Sequence, residues 1–214
     1  MAKSEQQRQK KLARKKSKEL AKRKQLAAEK NAMCSLSGQI ASALQHPIDK
    51  CYVHGNLFES NTGSGIGTIL LSRRIKDGRV VFACFLVDRD GLGVKDAFVR
   101  LINLSEFSEH IQRLSRDSVV QPCDPARAKK LVTAAVDWAA GFGLEPMGDY
   151  HRAEAIWSDV DETQCKESFE FGDNGKPVLI PGPHDSPEFL QSVMAKIAQH
   201  RGDQQTERQL TDAS

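Results

Sequence analysis

The segment running from residue 67 to residue 88 reads GTILLSRRIKDGRVVFACFLVD. Two runs of aliphatic, β-branched and aromatic residues flank Lys76-Asp77-Gly78. Such side chains suit a pleated, buried surface, and Asp-Gly supplies the positive φ of a tight reversal. The chain is therefore expected to build an antiparallel hairpin here. CYVHGNLF before it alternates as a strand does. VKDAFVRLI after it fits two patterns. Val94, Phe98 and Ile102 fall at helical spacing, but the β-branched content and the preceding Asp-Gly favour a third antiparallel strand, which is the reading adopted.

Helices are expected around these strands. LSGQIASALQH precedes Pro47. SEFSEHIQRL is headed by Ser105 and carries Phe107, Ile111 and Leu114 on one face. Asp124-Pro125 is an N-cap followed by proline in the first turn. Leu131, Ala134, Ala135, Trp138 and Phe142 make that helix apolar on one side, and Gly141 and Gly143 end it. VVQPCDP reads as a connector. Asp149 is placed to cap a helix over YHRAEAIWSDV. SFEFGDNGKPVLI reads as a second hairpin about Asp-Asn-Gly, and Ser186-Pro187 opens a last helix to about His200. Strands in two hairpin groups with helices between and after them give an α+β fold with an antiparallel sheet, not a doubly wound one. The expected organisation is a basic arm over residues 1–33, helical or disordered, a single α+β domain over 34–201, and a disordered tail over 202–214.

Charge separates the arm from the body. The chain carries a net +3, yet residues 1–30 carry +9, which leaves −6 for the rest. Lys10, Lys11, Arg14, Lys15, Lys16, Lys18, Lys22, Arg23 and Lys24 are the dense part of the run. Leu12, Leu20 and Leu26 are too few for a wide buried stripe. A cationic helix of this kind fits phosphates, whose contacts release counterions and weaken with salt. RNA or a ribonucleoprotein surface is the expected partner, with a solvated tail and an acidic protein partner as alternatives. The arm holds no Trp, Phe or Ile to enter a bilayer, and no apolar run approaches the ~18 residues that a span requires. With no apolar signal segment at the start, a cytosolic protein is expected.

The chemistry-bearing motifs are sparse. Five cysteines, Cys34, Cys51, Cys84, Cys123 and Cys165, are scattered without a C-x-x-C, so neither a disulfide framework nor zinc is expected. DRDGLGVKDAFV offers Asp88, Asp90 and Asp96 at calcium-loop positions. Leu92 and Val99 stand where that loop needs oxygen ligands, and the segment reads best as a tight turn. GSGIG lacks both the spacing of a dinucleotide loop and a following lysine. A second functional reading is a metal-dependent nuclease or hydrolase. Asp88, Asp96, His151 and Glu154 would form its site, in a chain that also holds Asp159 and Asp161. Composition assigns no cofactor. A third reading is a protein-interaction module.

Four stretches together carry a resemblance: Gly65–Gly67, Phe85–Asp88 (FLVD), Leu92–Asp96 (LGVKD) and Gly141–Tyr150. They resemble the motifs of a family of uncharacterised bacterial proteins, as does FEFGDNGKPVLIPGP. The likeness covers most of residues 50–185 and neither tail. It departs at Gly-Phe-Gly-Leu-Glu-Pro, where the family pattern is Gly-Phe-x-Pro. The resemblance implies a shared fold and a site near Asp88, Lys95, Asp96, Tyr150 and His151. It implies no reaction.

Overall fold

A computed structural model describes residues 10, 14–26, 35–59, 65–117, 119–182 and 185–212. The fold is α+β, built on a five-stranded antiparallel sheet. Strands β1 (Ile48–His54), β2 (Ile66–Arg74), β3 (Val80–Asp88) and β4 (Gly93–Ile102) form a meander. The short β5 (Val120–Pro122) returns to pair with β1, so the order across the sheet is β4-β3-β2-β1-β5. The Lys-Asp-Gly turn forms as its sequence requires. Gly78 sits at φ 84, and the Ile75 amide donates to Arg79 O at 2.9 Å.

VKDAFVRLI is a strand, because its alternate residues meet two different layers. Val94, Ala97 and Val99 join Val81, Ala83 and Phe85 under helices α2 (Leu36–Ala43), α4 (Pro125–Ala140) and α5 (Tyr150–Ala153). Phe98 and Ile102 join Phe82 and Cys84 under helix α3 (Leu104–Asp117). Covering both faces explains why β3 is a nearly unbroken apolar run. Phe85 stacks on Trp157 at 4.4 Å between ring centres and anchors the larger core.

Several local expectations are corrected. Helix α3 is capped by Asn103, not Ser105. Asn103 Oδ1 accepts from the Glu106 amide and Glu106 Oε2 accepts from the Asn103 amide, both at 2.9 Å, a reciprocal capping box. The connector at 120–122 contains a strand, since its backbone completes the β1 edge. The helix expected over YHRAEAIWSDV is only one α-turn, α5, followed by a 3-10 turn over Glu154–Trp157. Asp149 does not cap it: its carboxylate takes Arg152 Nη1 at 2.8 Å.

The Asp-Asn-Gly turn forms, with Asn174 at φ 51 and Gly175 at φ 74, but supports only a bridge between Asp173 and Lys176. Its flanks bond elsewhere. Gly172 N donates to Arg89 O at 2.8 Å and Val178 N to Asp90 O at 2.7 Å. The last helix, α6 (Pro187–Asp212), starts where expected but runs past His200 through most of the expected tail. Helix α1 (residues 14–26) is the described part of the arm, together with residue 10, and its side chains are exposed. Among the described residues no helix is long and apolar enough to cross a membrane.

Candidate functional site

Strand β3 ends on Asp88, and the chain reverses within four residues to start β4 at Gly93, φ 70. Asp88 makes this reversal. Its Oδ1 accepts from the amides of Asp90 at 2.9 Å and Gly91 at 3.0 Å. The side chain is fully buried, and Oδ2 has no hydrogen-bond partner among the described residues. Burial pushes the carboxyl above its usual range, while the amides of Gly91 and Asp90 pull it partly back. Asp90 ties the turn to β2 through Gly65 N, 2.8 Å from its Oδ2. The acid-and-glycine pattern that looked like a metal loop is thus a turn in which Asp88 Oδ1 and Asp90 Oδ2 accept backbone amides.

The folded-state carboxyl of Asp88 lies above its unfolded value of about 3.9. Its contribution to stability is therefore greatest below that pH and declines as pH rises through the folded value. Asp88→Asn keeps the oxygen that accepts the turn amides and removes the charge. We expect it to raise the melting temperature at pH 7, with the gain vanishing near pH 4. Asp88→Ala loses the acceptor and should cost about 1–2 kcal/mol. Thermal melts of both variants from pH 4 to 8 check this; an Asn variant less stable than wild type at pH 7 would refute it.

Lys95 owes its direction to a bulge. The register passes from Leu86↔Asp96 to Val87↔Val94, so one extra residue, Lys95, sits in β4. Its Nζ reaches Asp185 Oδ2 at 2.5 Å, and that oxygen also accepts Gly182 N at 2.7 Å. The ammonium is thus committed to the segment that leads into α6. Asp96, next in the strand, is exposed.

The Gly-Asp-Tyr segment lies along the free edge of β4. Met147 N donates to Val94 O at 2.9 Å and Asp149 N to Ala97 O at 2.7 Å. Leu92–Asp96 and Gly141–Tyr150 are therefore neighbours, joined by backbone. The Tyr150 and His151 rings are neighbours, 5.6 Å between centres. Tyr150 is buried in a T-shaped pair with Phe85, 6.1 Å between centres. Burial, then the adjacent Glu154, hold its phenol protonated well above the ordinary value. His151 is 84% exposed, 3.4 Å from Glu154 Oε1. Asp159 pairs with Arg73, and Asp161 accepts Thr163 N at 3.0 Å. Among the described residues no group of three or more His, Cys, Asp or Glu side chains could hold a metal ion.

Two buried arginines escaped the sequence reading. Arg89 is 7% exposed and spends its guanidinium on three carbonyls. Nη1 reaches Leu57 O at 2.7 Å and Glu59 O at 2.9 Å, and Nη2 reaches Glu170 O at 2.7 Å. Its head lies 5.8 Å from the Phe171 ring centre. Arg73 is 1% exposed and bonds Ile156 O at 2.9 Å, His46 O at 2.6 Å and Asp159. The available signal was position: each is a cation at the end of an apolar strand.

The candidate interface on the arm is simpler. Lys10 and helix α1 present Arg14, Lys15, Lys16, Lys18, Lys22, Arg23 and Lys24, all exposed; Lys11 lies outside the described residues. Arg14, Lys18 and Lys22 recur every four residues, with Lys15 beside them, so they share one side. Arg23 also meets Glu19 at 3.4 Å. Comparison with protein-family models, with curated proteins and with solved structures finds no match to this chain.

Proposed function

We propose that this protein binds RNA or a ribonucleoprotein surface through its basic N-terminal helix, with the α+β body attached to that anchor. The observation that carries this reading is the exposed row Arg14, Lys18 and Lys22 on α1, set against a body of net charge −6. Like charges four residues apart destabilise an isolated helix, and a polyanion lined along them removes that repulsion. From Arg14 to Lys22 the row rises about 12 Å along the helix, enough to meet successive phosphates. Without an aromatic residue in residues 1–33, the arm has nothing to stack on a base. Binding should then follow the backbone and show little sequence preference.

The test is fluorescence anisotropy with a labelled single-stranded RNA, using the full chain and a form lacking residues 1–30. We expect removal of the arm to weaken binding about 100-fold or more. Raising salt from 50 to 200 mM should weaken the full chain by a similar factor, as several released counterions require. Equal affinity without the arm, or affinity indifferent to salt, would sink the proposal.

A further inference from the structure

Cys51 lies in β1, and Cys123 follows β5 directly. The register Val53↔Gln121, Tyr52↔Pro122, carried one step on, sets the two cysteines opposite each other. Cys123 N donates to Cys51 O at 3.0 Å, and the two Sγ atoms are 3.4 Å apart as free thiols. Facing residues of antiparallel strands have Cα atoms about 4.5–5.5 Å apart, inside the ~4.4–6.8 Å range a disulfide can bridge. The backbone already stands where the bond needs it, and the sulfurs have only to rotate together.

We propose that Cys51 and Cys123 are a reversible dithiol–disulfide pair, oxidised by exchange with a low-molecular-weight disulfide. The pair is asymmetric in a way that orders the reaction. Cys123 is partly exposed, whereas Cys51 is buried behind it. The hydrogen bond to Cys123, then burial, then the charge of Asp124 hold the Cys51 thiol protonated, so it does not react first. Cys123 gives up its proton and attacks one sulfur of the small disulfide. That S–S bond breaks, and one small thiolate leaves and takes up a proton. Cys51 then attacks Cys123 Sγ in the mixed disulfide, and the second small thiol departs with the Cys51 proton. One disulfide is reduced, two protein thiols are oxidised, and no other reactant is needed.

The bond falls at a weak place in the sheet. Strand β5 has three residues, and Pro122 can donate no amide. Helix α3 leads into β5 and helix α4 leaves it, so a bond here fastens the chain between the two helical layers. It also closes a loop of about seventy residues, which limits the unfolded chain. Cys84 is differently placed, with its sulfur buried against His110 Nε2 at 3.6 Å.

The test uses the full chain, incubated with oxidised or reduced glutathione, then alkylated, digested and weighed. We expect the peptides holding Cys51 and Cys123 to appear joined and lighter by two hydrogens, and to separate with dithiothreitol. The oxidised protein should melt higher by roughly 5–10 °C. Cys51→Ser should stop at a stable glutathione adduct on Cys123. Because the wild-type result stands alone, a variant that fails to fold leaves the proposal testable. It is overturned if both thiols stay open to alkylation, if wild type stops at the mixed disulfide, if either cysteine bonds to a different one, or if the joined form melts lower.

Discussion

Arg89→Ala should destabilise the protein by about 3–5 kcal/mol, read as a lower urea midpoint. The side chain holds the carbonyls of Leu57, Glu59 and Glu170 in one fork. These lie in segments distant in sequence: the loop after β1 and the irregular stretch before the Asp-Asn-Gly turn. Hydrogen bonds from a charged donor contribute about 1.5–3 kcal/mol each, and part of that returns when water enters the space left behind. Removing a buried cation's hydrogen bonds therefore costs several kcal/mol, and the charges of Asp90 and Glu170 also favour the cation here. Contacts of the guanidinium with Phe169 and Phe171 are lost as well. Arg89→Lys should recover only part of the loss. An ammonium keeps the charge but cannot present the planar fork that meets three carbonyls. If the alanine variant unfolds within about 1 kcal/mol of wild type, the carbonyls are satisfied without Arg89, and its role as a clamp is wrong.

Gly148→Ala is the second large effect, at about 2–4 kcal/mol. Gly148 sits at φ 69, where a side chain adds roughly 1–2 kcal/mol of strain. A Cβ there would also overlap Asp96 Oδ1 and lie 2.5 Å from Ala97 N and 2.6 Å from Ala97 O. Those backbone atoms cannot give way cheaply, since Ala97 O accepts the Asp149 amide that holds this segment to β4. Overpacking against backbone adds about 1–3 kcal/mol. Gly78→Ala is the control. Gly78 has a similar φ of 84 but, its chain neighbours aside, no atom of the described residues within 4 Å of its missing Cβ. It should show the strain alone, about 1–2 kcal/mol. Two variants of equal stability would mean that the close approach at Gly148 relaxes freely. The same urea series decides it.

The contrast between these glycines shows what a sequence can and cannot convey. Gly78 was legible because its requirement is local: Asp-Gly between two apolar runs needs a positive φ whatever surrounds it. Gly148 carries the same backbone signature, but its demand for space comes from Asp96 and Ala97, some fifty residues away. The strand choice at 94–102 also came from local evidence, namely β-branched content after a turn. Its confirmation lies in the two helical layers that bury opposite faces. The expected second hairpin shows the limit from the other side. Its turn residues were right, but the flanking amides bond to Arg89 and Asp90 instead of to each other.

The candidate site divides the same way. The sequence alone determined that residues 84–98 hold a turn and that charge is segregated between arm and body. It also determined the antiparallel hairpin and the Asp124-Pro125 helix start. These follow from composition and from interactions spanning a few residues. Only the tertiary structure decided what the polar side chains do. Asp88 Oδ1 and Asp90 Oδ2 accept backbone amides, Lys95 pairs with Asp185 ninety residues away, and Tyr150 turns into the core. It also set Cys51 across from Cys123, seventy-two residues on. A side chain's chemistry depends on its burial and on its nearest partner, and both are fixed by strands and helices that meet only when the whole sheet is assembled.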